Sequence, residues 1–238
     1  MNCYCCTKIE LDCVYHMDCI VGMRQLPDES VNLAVVDPPY GINFTSNNRK
    51  VKPLLSAKGI QNDGLDNAEF LATVIFEINR VLKPNSHVYW FTRWDKVKIQ
   101  QPLLEKFFLV KNSLIWMKNG RSMGDLRGAY AGQYENILFC QKGRRDLNEV
   151  DGISRHTDIL PFDRVPPARL RHNHEKPEDL IEFLIRKSSN PGDIVLVPFG
   201  GSGSECVAAK KTGRRFISFE LEPQYIELAK ERLQRVAA

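Results

Sequence analysis

Val31-Asn32-Leu33-Ala34-Val35-Val36-Asp37-Pro38-Pro39-Tyr40 is the stretch from which the rest of the chain is read. Its first six residues are mostly apolar, with three valines and no regular polar alternation, which predicts a buried strand of a parallel sheet. Such a strand delivers Asp37 to the carboxyl edge of the sheet. Two consecutive prolines fix φ and carry no N–H, so the backbone beyond Asp37 is stiff and its carbonyls are acceptors. An aromatic ring follows at Tyr40. Stiff acceptors beside a flat apolar face make a clamp suited to a planar group bearing an amine. The same four residues also fit an Asp-Pro turn with a packed tyrosine.

Working outward, residues 13–17 read as a strand ending at Asp18. A short helical turn then leads through Pro27-Asp28-Glu29-Ser30 to the run at Val31. A link of this length predicts two parallel neighbours, with Asp18 and Asp37 at one edge. Residues 41–67 are polar and aperiodic. Phe70, Leu71, Val74, Ile75, Ile78, Val81 and Leu82 recur at helical spacing until Lys83-Pro84-Asn85. Strands follow at 87–91, 113–118 and 135–140, with a helix at 97–108. The last two strands have no helical pattern between them, which predicts an antiparallel pair at the sheet edge. Pro177 opens a helix over 178–187. Residues 194–197 form a strand, Pro198-Phe199-Gly200-Gly201-Ser202-Gly203 a turn, 204–212 a helix, 215–219 a strand ending at Glu220, and 223–236 a final helix. Seven strands alternating mainly with helices predict an α/β fold: one doubly wound, mostly parallel, Rossmann-like sheet with an antiparallel edge strand, in a single domain over 1–238.

Composition sets outer limits. The 238 residues, 43% hydrophobic and 26% charged, are ordinary for a globular chain. No apolar run approaches the ~20 residues of a membrane span, and the amino terminus lacks a signal-peptide pattern, so a cytoplasmic location is expected. The net charge of +4 permits nucleic-acid binding without demanding it. Cations gather in 142–171, where Lys142, Arg144, Arg145, Arg155, Arg164, Arg169 and Arg171 outnumber the acids. Seven cysteines without a secretory signal point to reduced thiols. Cys3, Cys5, Cys6 and Cys13 lack the two paired Cys-x2-Cys knuckles of common zinc sites, and no metal is expected. Cys19, Cys140 and Cys206 sit in apolar contexts suited to a core.

The glycine turn supplies a second constellation. Gly200, Gly201 and Gly203 between strand and helix let backbone approach a ligand and aim N–H groups at anionic oxygens. Glu220, ending the next strand, is placed to accept from ribose hydroxyls. By itself this suits NAD as well as any adenosine cofactor.

The combination is narrower. Asp37-Pro38-Pro39-Tyr40 followed later by Phe199-Gly200-Gly201-Ser202-Gly203 resembles the S-adenosylmethionine-dependent amino-methyltransferases of DNA, beta class, in which the catalytic half precedes the cofactor half. Met17-Asp18-Cys19, Arg80-Val81-Leu82-Lys83-Pro84, Glu175-Lys176-Pro177, Ser189-Asn190-Pro191-Gly192-Asp193 and Glu220-Leu221-Glu222-Pro223-Gln224-Tyr225 extend the likeness from about Val14 to about Arg235. The resemblance implies a circularly permuted methyltransferase sheet, with the strands ending at Gly200 and Glu220 beside the one ending at Asp18.

It also implies roles. Phe199, Gly201, Ser202 and Gly203 are expected to cradle the methionine part of S-adenosylmethionine, with His172 and Lys176 completing that pocket. Glu220 is expected to hold the ribose, and Asp18 with Cys19 the adenine side. Asp37, also counted with the cofactor site, and the carbonyl of Pro38 are expected to accept from the exocyclic amine of a flipped base, with Pro39 stiffening the clamp and Tyr40 stacking. Asp at the first motif position points to adenine N6, with cytosine N4, RNA as substrate, and a silent DNA-binding relative as alternatives. Duplex DNA is the implied partner, read by 142–171 as a small target-recognition insertion and by 41–67. A homodimer and a cognate restriction enzyme are compatible further partners. Val197 stands where the family carries an acid before Pro-Phe, and His172-Asn173-His174-Glu175-Lys176-Pro177 departs from the family's usual His-Pro-Thr-Gln-Lys-Pro.

Overall fold

The run at Val31 is a strand, β2 (Val31–Val36), and it lies near the middle of a sheet of eight. The computed structural model describes residues 9–40, 67–121, 127–166 and 175–236. In chain order β1 (Cys13–His16) and α1 (Cys19–Met23) precede β2. Then come α2 (Ala68–Val81), β3 (Leu82–Thr92), α3 (Val97–Leu104), β4 (Leu109–Met117), β5 (Tyr134–Lys142), β6 (Ile159–Pro161), α4 (Glu178–Ser188), β7 (Ile194–Val197), α5 (Ser204–Lys211), β8 (Arg215–Glu220) and α6 (Pro223–Val236).

The strand order is β1-β8-β7-β2-β3-β5-β4-β6. All neighbouring pairs are parallel except those made by β5, which runs against both β3 and β4. The antiparallel pair expected from the helix-free link is therefore β4 with β5. The edge itself goes to the short β6, an eighth strand from within the basic segment. Three residues are too few to show a periodicity.

Each central strand is apolar on both sides because helices cover both faces. On one face α1, α2 and α3 pack over Ala34, Val36, Val88, Trp90, Leu196 and Phe219. On the other, α4 and α5 pack over Leu33, Val35, Tyr89, Phe91, Val195 and Phe216. Arg80 ties the first layer together: its guanidinium donates to the carbonyls of Met23 (2.6 Å) and Leu26 (2.9 Å), and its Nε to Glu77 (2.8 Å). Cys19, Cys140 and Cys206 are buried, as their contexts predict, whereas Cys3, Cys5 and Cys6 lie outside the described residues.

One expectation fails. β1 and β2 are not neighbours, since β8 and β7 lie between them. Central places go to strands that are apolar throughout, and β1, partly exposed along its length and ending at His16, suits an edge. It is fixed there by Asp12, whose carboxylate accepts from Arg215 and from the Phe216 N–H, and by the Met17 N–H donating to Glu220 O at 3.1 Å. Asp18 still reaches the carboxyl edge, but with two strands between it and Asp37. Among the described residues no helix is long and apolar enough to cross a membrane.

α1 meets β8 without clearance. A Cβ on Gly22 would lie 2.1 Å from the ring of Phe219, itself 1% exposed. Gly22→Ala is expected to lower stability by about 1–3 kcal/mol through overpacking, with a fall of several degrees in Tm by scanning calorimetry.

Candidate active site

The sheet reverses its direction of winding between β7 and β2. From β2 the chain moves through α2 to β3 on one side, and from β7 through α5 to β8 on the other. The carboxyl ends of these two strands therefore open onto a crevice that no crossover covers, the place where open α/β sheets bind ligands. Asp37 follows β2 there, the glycine turn follows β7, and Glu220 ends β8.

Asp37 is held by two donors on different oxygens. Tyr40 Oη donates to Oδ1 at 2.6 Å, and Lys176 Nζ donates to Oδ2 at 2.7 Å. Lys176 comes from just before α4, is 4% exposed, and also pairs with Glu135 at 3.3 Å. Glu135 opens β5 and is held from its other oxygen by Lys118 at 2.5 Å. Two carboxylates and two ammoniums thus alternate along one line. Burial alone would raise Glu135, but Lys176 and Lys118 outweigh it and hold its carboxyl down at about 2. Burial likewise works against the charge of Lys176, and Asp37 and Glu135 outweigh it, leaving the ammonium above its ordinary range. Tyr40 is pushed well up by burial and then by the negative charge of Asp37, so its hydroxyl stays a donor.

The backbone of the clamp is fixed as well. Asn67, in the turn before α2, donates from Nδ2 to the carbonyl of Pro39 at 2.8 Å. Lys176 Nζ lies 5.1 Å from the centre of the Phe91 ring and 5.9 Å from that of Tyr40. Apolar walls therefore flank the charged row.

The glycine turn closes through the Gly203 N–H to Gly200 O (2.8 Å) and is tied to β8 by the Gly200 N–H to Phe219 O (2.8 Å). Gly203 has φ +80, and a Cβ there would meet Ala229 at 2.7 Å; Gly201 has φ +46, with nothing within 4 Å of where its Cβ would stand. Glu220 accepts from the N–H groups of Gly201 (2.7 Å), Leu221 and Glu222 (2.8 Å each). Burial raises its carboxyl, and those three donors work against the rise. Arg232 of α6 anchors the turn by donating to Ser202 O and Oγ at 2.9 and 3.0 Å. Open space at Gly201, a left-handed turn and an immobilised acid on the next strand fit an adenosine cofactor that carries an amino-acid tail.

The predicted residues separate into groups. Asp37, Tyr40 and Lys176 are in direct contact, and Gly201 is joined to Glu220. Phe199 packs against Phe70 at the rim, with ring centres 6.2 Å apart. Asp18 caps α1, accepting from the Ile20 and Val21 N–H groups at 2.9 and 3.1 Å. Cys19 turns its side chain into the core, where burial pushes the thiol up to about 12. His172 lies outside the described residues, as do residues 41–66. Glu135, Lys118, Asn67 and Glu205 were not singled out from sequence. An acid opening an otherwise apolar strand was the available signal for Glu135. Of the cations in 142–171, Lys142 is structural, donating to the carbonyls of Asn79 and Leu82 at 2.6 and 2.7 Å.

A family model described as DNA methylase matches residues 31–231. The chain is 28% identical over 262 residues to the DNA adenine methyltransferase YhdJ of Escherichia coli (strain K12), over 94% of this chain and 83% of that protein. It resembles the crystal structure of an M1.HpyAVI–SAM complex with a TM-score of 0.70 and 27% identity, over 93% of this chain and 99% of that one. The PvuII DNA methyltransferase, cytosine-N4-specific, shares the fold with a TM-score of 0.73 at 15% identity, over 94% and 89% of the two chains.

Removing Lys176 leaves two carboxylates without their common partner. Lys176→Met is expected to cost about 3–5 kcal/mol at pH 7 in urea unfolding, less as falling pH neutralises the acids. In the wild type, the share due to Glu135 is fully present above 4.5 and disappears as pH falls toward about 2. Glu135→Gln should flatten the stability profile across that window.

Proposed function

The chain belongs to the DNA methylase family, and from that premise we propose that it transfers the methyl group of S-adenosylmethionine to N6 of an adenine flipped out of duplex DNA. The observation that supports this reading most directly is the position of Asp37 at the switch point, one strand from the glycine turn. S-adenosylmethionine supplies an electrophilic methyl group, so the protein's part is orientation and electrostatics.

In the proposed arrangement Phe199, Gly201, Ser202 and Gly203 line the methionine portion of the cofactor. Glu220, immobilised by three N–H groups, accepts from the ribose hydroxyls, and Asp18 faces the adenine side. The target base stacks on Tyr40. Its amine donates to Asp37 and to the carbonyl of Pro38, which draws the nitrogen lone pair out of conjugation and toward the methyl group. A carboxylate offers about four lone-pair positions, so Asp37 keeps acceptor capacity beside Tyr40 and Lys176. The N–C bond would form as the C–S bond breaks, the bonding pair would stay with sulfur, and the methylated nitrogen would release one N–H proton to solvent. Extrusion of the base costs roughly a few kcal/mol, met by contacts to DNA.

Adenine rather than cytosine is supported by Asp37 at the first motif position and by similarity to an adenine methyltransferase of E. coli. The cytosine-N4-specific relative shares fold alone. Sequence readout is assigned to 142–171 and 41–67. In the former, Arg155 and Arg164 are exposed, and the Arg164 N–H donates to Asn119 Oδ1, which brings that part of the segment beside the end of β4. DNA is the substrate partner, and a second copy of the chain and a cognate restriction enzyme are compatible further partners.

Asp37→Asn keeps the side-chain shape and removes the charge. It is expected to lower transfer of tritiated methyl to duplex DNA by at least ~100-fold, while S-adenosylhomocysteine still binds. Near-wild-type turnover would rule out the proposed role of Asp37. Nucleoside analysis of wild-type product should yield N6-methyladenine, and N4-methylcytosine in its place would overturn the assignment of the base.

A further inference from the structure

Glu205 is a buried acid at the crevice to which the reaction as described gives no role. It is the second residue of α5, two positions after Gly203, and is 5% exposed. Its carboxyl is bonded to its own backbone N–H; Lys176 and Arg232 attract it from a distance, but among the described residues neither makes a salt bridge to it. The neighbouring cations are committed elsewhere. Lys176 bridges Asp37 and Glu135, and Arg232 pairs with Glu175 at 3.0 Å and Glu178 at 2.6 Å. Burial, and then the negative charge of Asp37, push Glu205 up to about 7.

An acid in the first turn of a helix is ordinarily solvated, where it complements the helix dipole at little cost. Buried without a salt-bridge partner, the same group is costly to ionise, and a cationic ligand lowers that cost. A single carboxylate suits an organic cation, which it can meet through N–H donors. Val197, the last residue of β7, is apolar and 1% exposed, so the strand before the turn supplies no carboxylate. The acid nearest the turn along the chain is Glu205.

We propose that Glu205 receives the α-ammonium of the methionine portion of the cofactor. The inference rests on the reading that the glycine turn cradles that portion. Among the cofactor's two cationic centres the ammonium is the match, because its three N–H donors can satisfy a buried carboxylate, whereas a sulfonium has no N–H to donate. Glu205 is thus a specificity-determining residue: it selects for a free amino group at the end of the ligand, and Asp37 and Lys176 remain assigned to the methyl-transfer end.

Calorimetric titration of the wild type and Glu205→Gln with three ligands tests this. S-adenosylmethionine and S-adenosylhomocysteine both carry the ammonium, the latter lacks the sulfonium, and 5′-methylthioadenosine lacks the amino-acid portion. Glu205→Gln should weaken the first two to a similar extent, by ~10-fold or more, and leave the third within about twofold of wild type. Weakening of S-adenosylmethionine alone would make the sulfonium the partner and overturn the proposal. Unchanged binding of S-adenosylhomocysteine, or equal loss of all three ligands, would overturn it too. If the variant does not fold, the wild type decides: a desamino analogue of S-adenosylhomocysteine that binds as tightly as the parent excludes the contact. Failure of the wild type to bind S-adenosylhomocysteine at all would instead remove the underlying reading of the cofactor site.

Discussion

The placement of β2 between β7 and β3 is the constraint from which the site follows. Asn32, the polar residue inside the β2 run, makes that placement specific: its Oδ1 accepts from the Ile194 N–H of β7 at 3.1 Å and from Lys83 Nζ at 3.2 Å. With β7 and β2 locked side by side and their following connections leaving in opposite directions, the space above their carboxyl ends stays open. The height of Asp37 is set by the register of β2, that of the glycine turn by β7, and that of Glu220 by β8. Three positions proposed to meet ligands are thereby fixed by backbone ladders, and their side chains need only local adjustment.

Charge then fixes the direction of the central carboxylate. A buried ion pair is weak evidence of stability, because desolvation offsets much of the attraction. The row Asp37, Lys176, Glu135, Lys118 is better understood as positional. Lys176 and Tyr40 take different oxygens of Asp37, so the carboxylate has one favoured rotation, and Glu135 keeps Lys176 from swinging away. The backbone beneath is equally restricted by two prolines and by Asn67 at Pro39. This is preorganisation of the sort that lets an acceptor act without rearranging at the moment of reaction.

What was legible in the sequence was local. The run at Val31, the proline pair, the glycine turn and the acid ending the next strand each declare themselves within a few residues. All seven predicted strands are present, and the central ones are plainest because an apolar run buried on both faces is visible in composition alone. What was illegible depended on distance. Lys176 meets Asp37 across 139 positions, and no periodicity encodes that meeting. The edge position of β1 followed from competition among strands for the interior, which reading one short link could not weigh. Nothing in the sequence around Glu205 separates it from an ordinary surface acid at a helix start. Only its burial by neighbouring layers distinguishes it.

The same geometry explains why an exocyclic amine, rather than some other group, suits the clamp. Tyr40 is tethered by its hydroxyl to the carboxylate three residues earlier, so its ring cannot turn independently of Asp37. In the proposed reading, a base stacked on that ring would present its edge to two acceptors, the Asp37 carboxylate and a carbonyl of the proline pair, while the Phe91 ring lies 5.1 Å from the Lys176 ammonium. A carbonyl at that edge, as in thymine or guanine, would set acceptor against acceptor in a partly desolvated slot, with a carbonyl left unpaired at a cost of about 1–3 kcal/mol. An amine turns the same contacts into hydrogen bonds. The clamp as proposed thus favours a base that sets an amine at that edge, as adenine and cytosine do, over one that sets a carbonyl there.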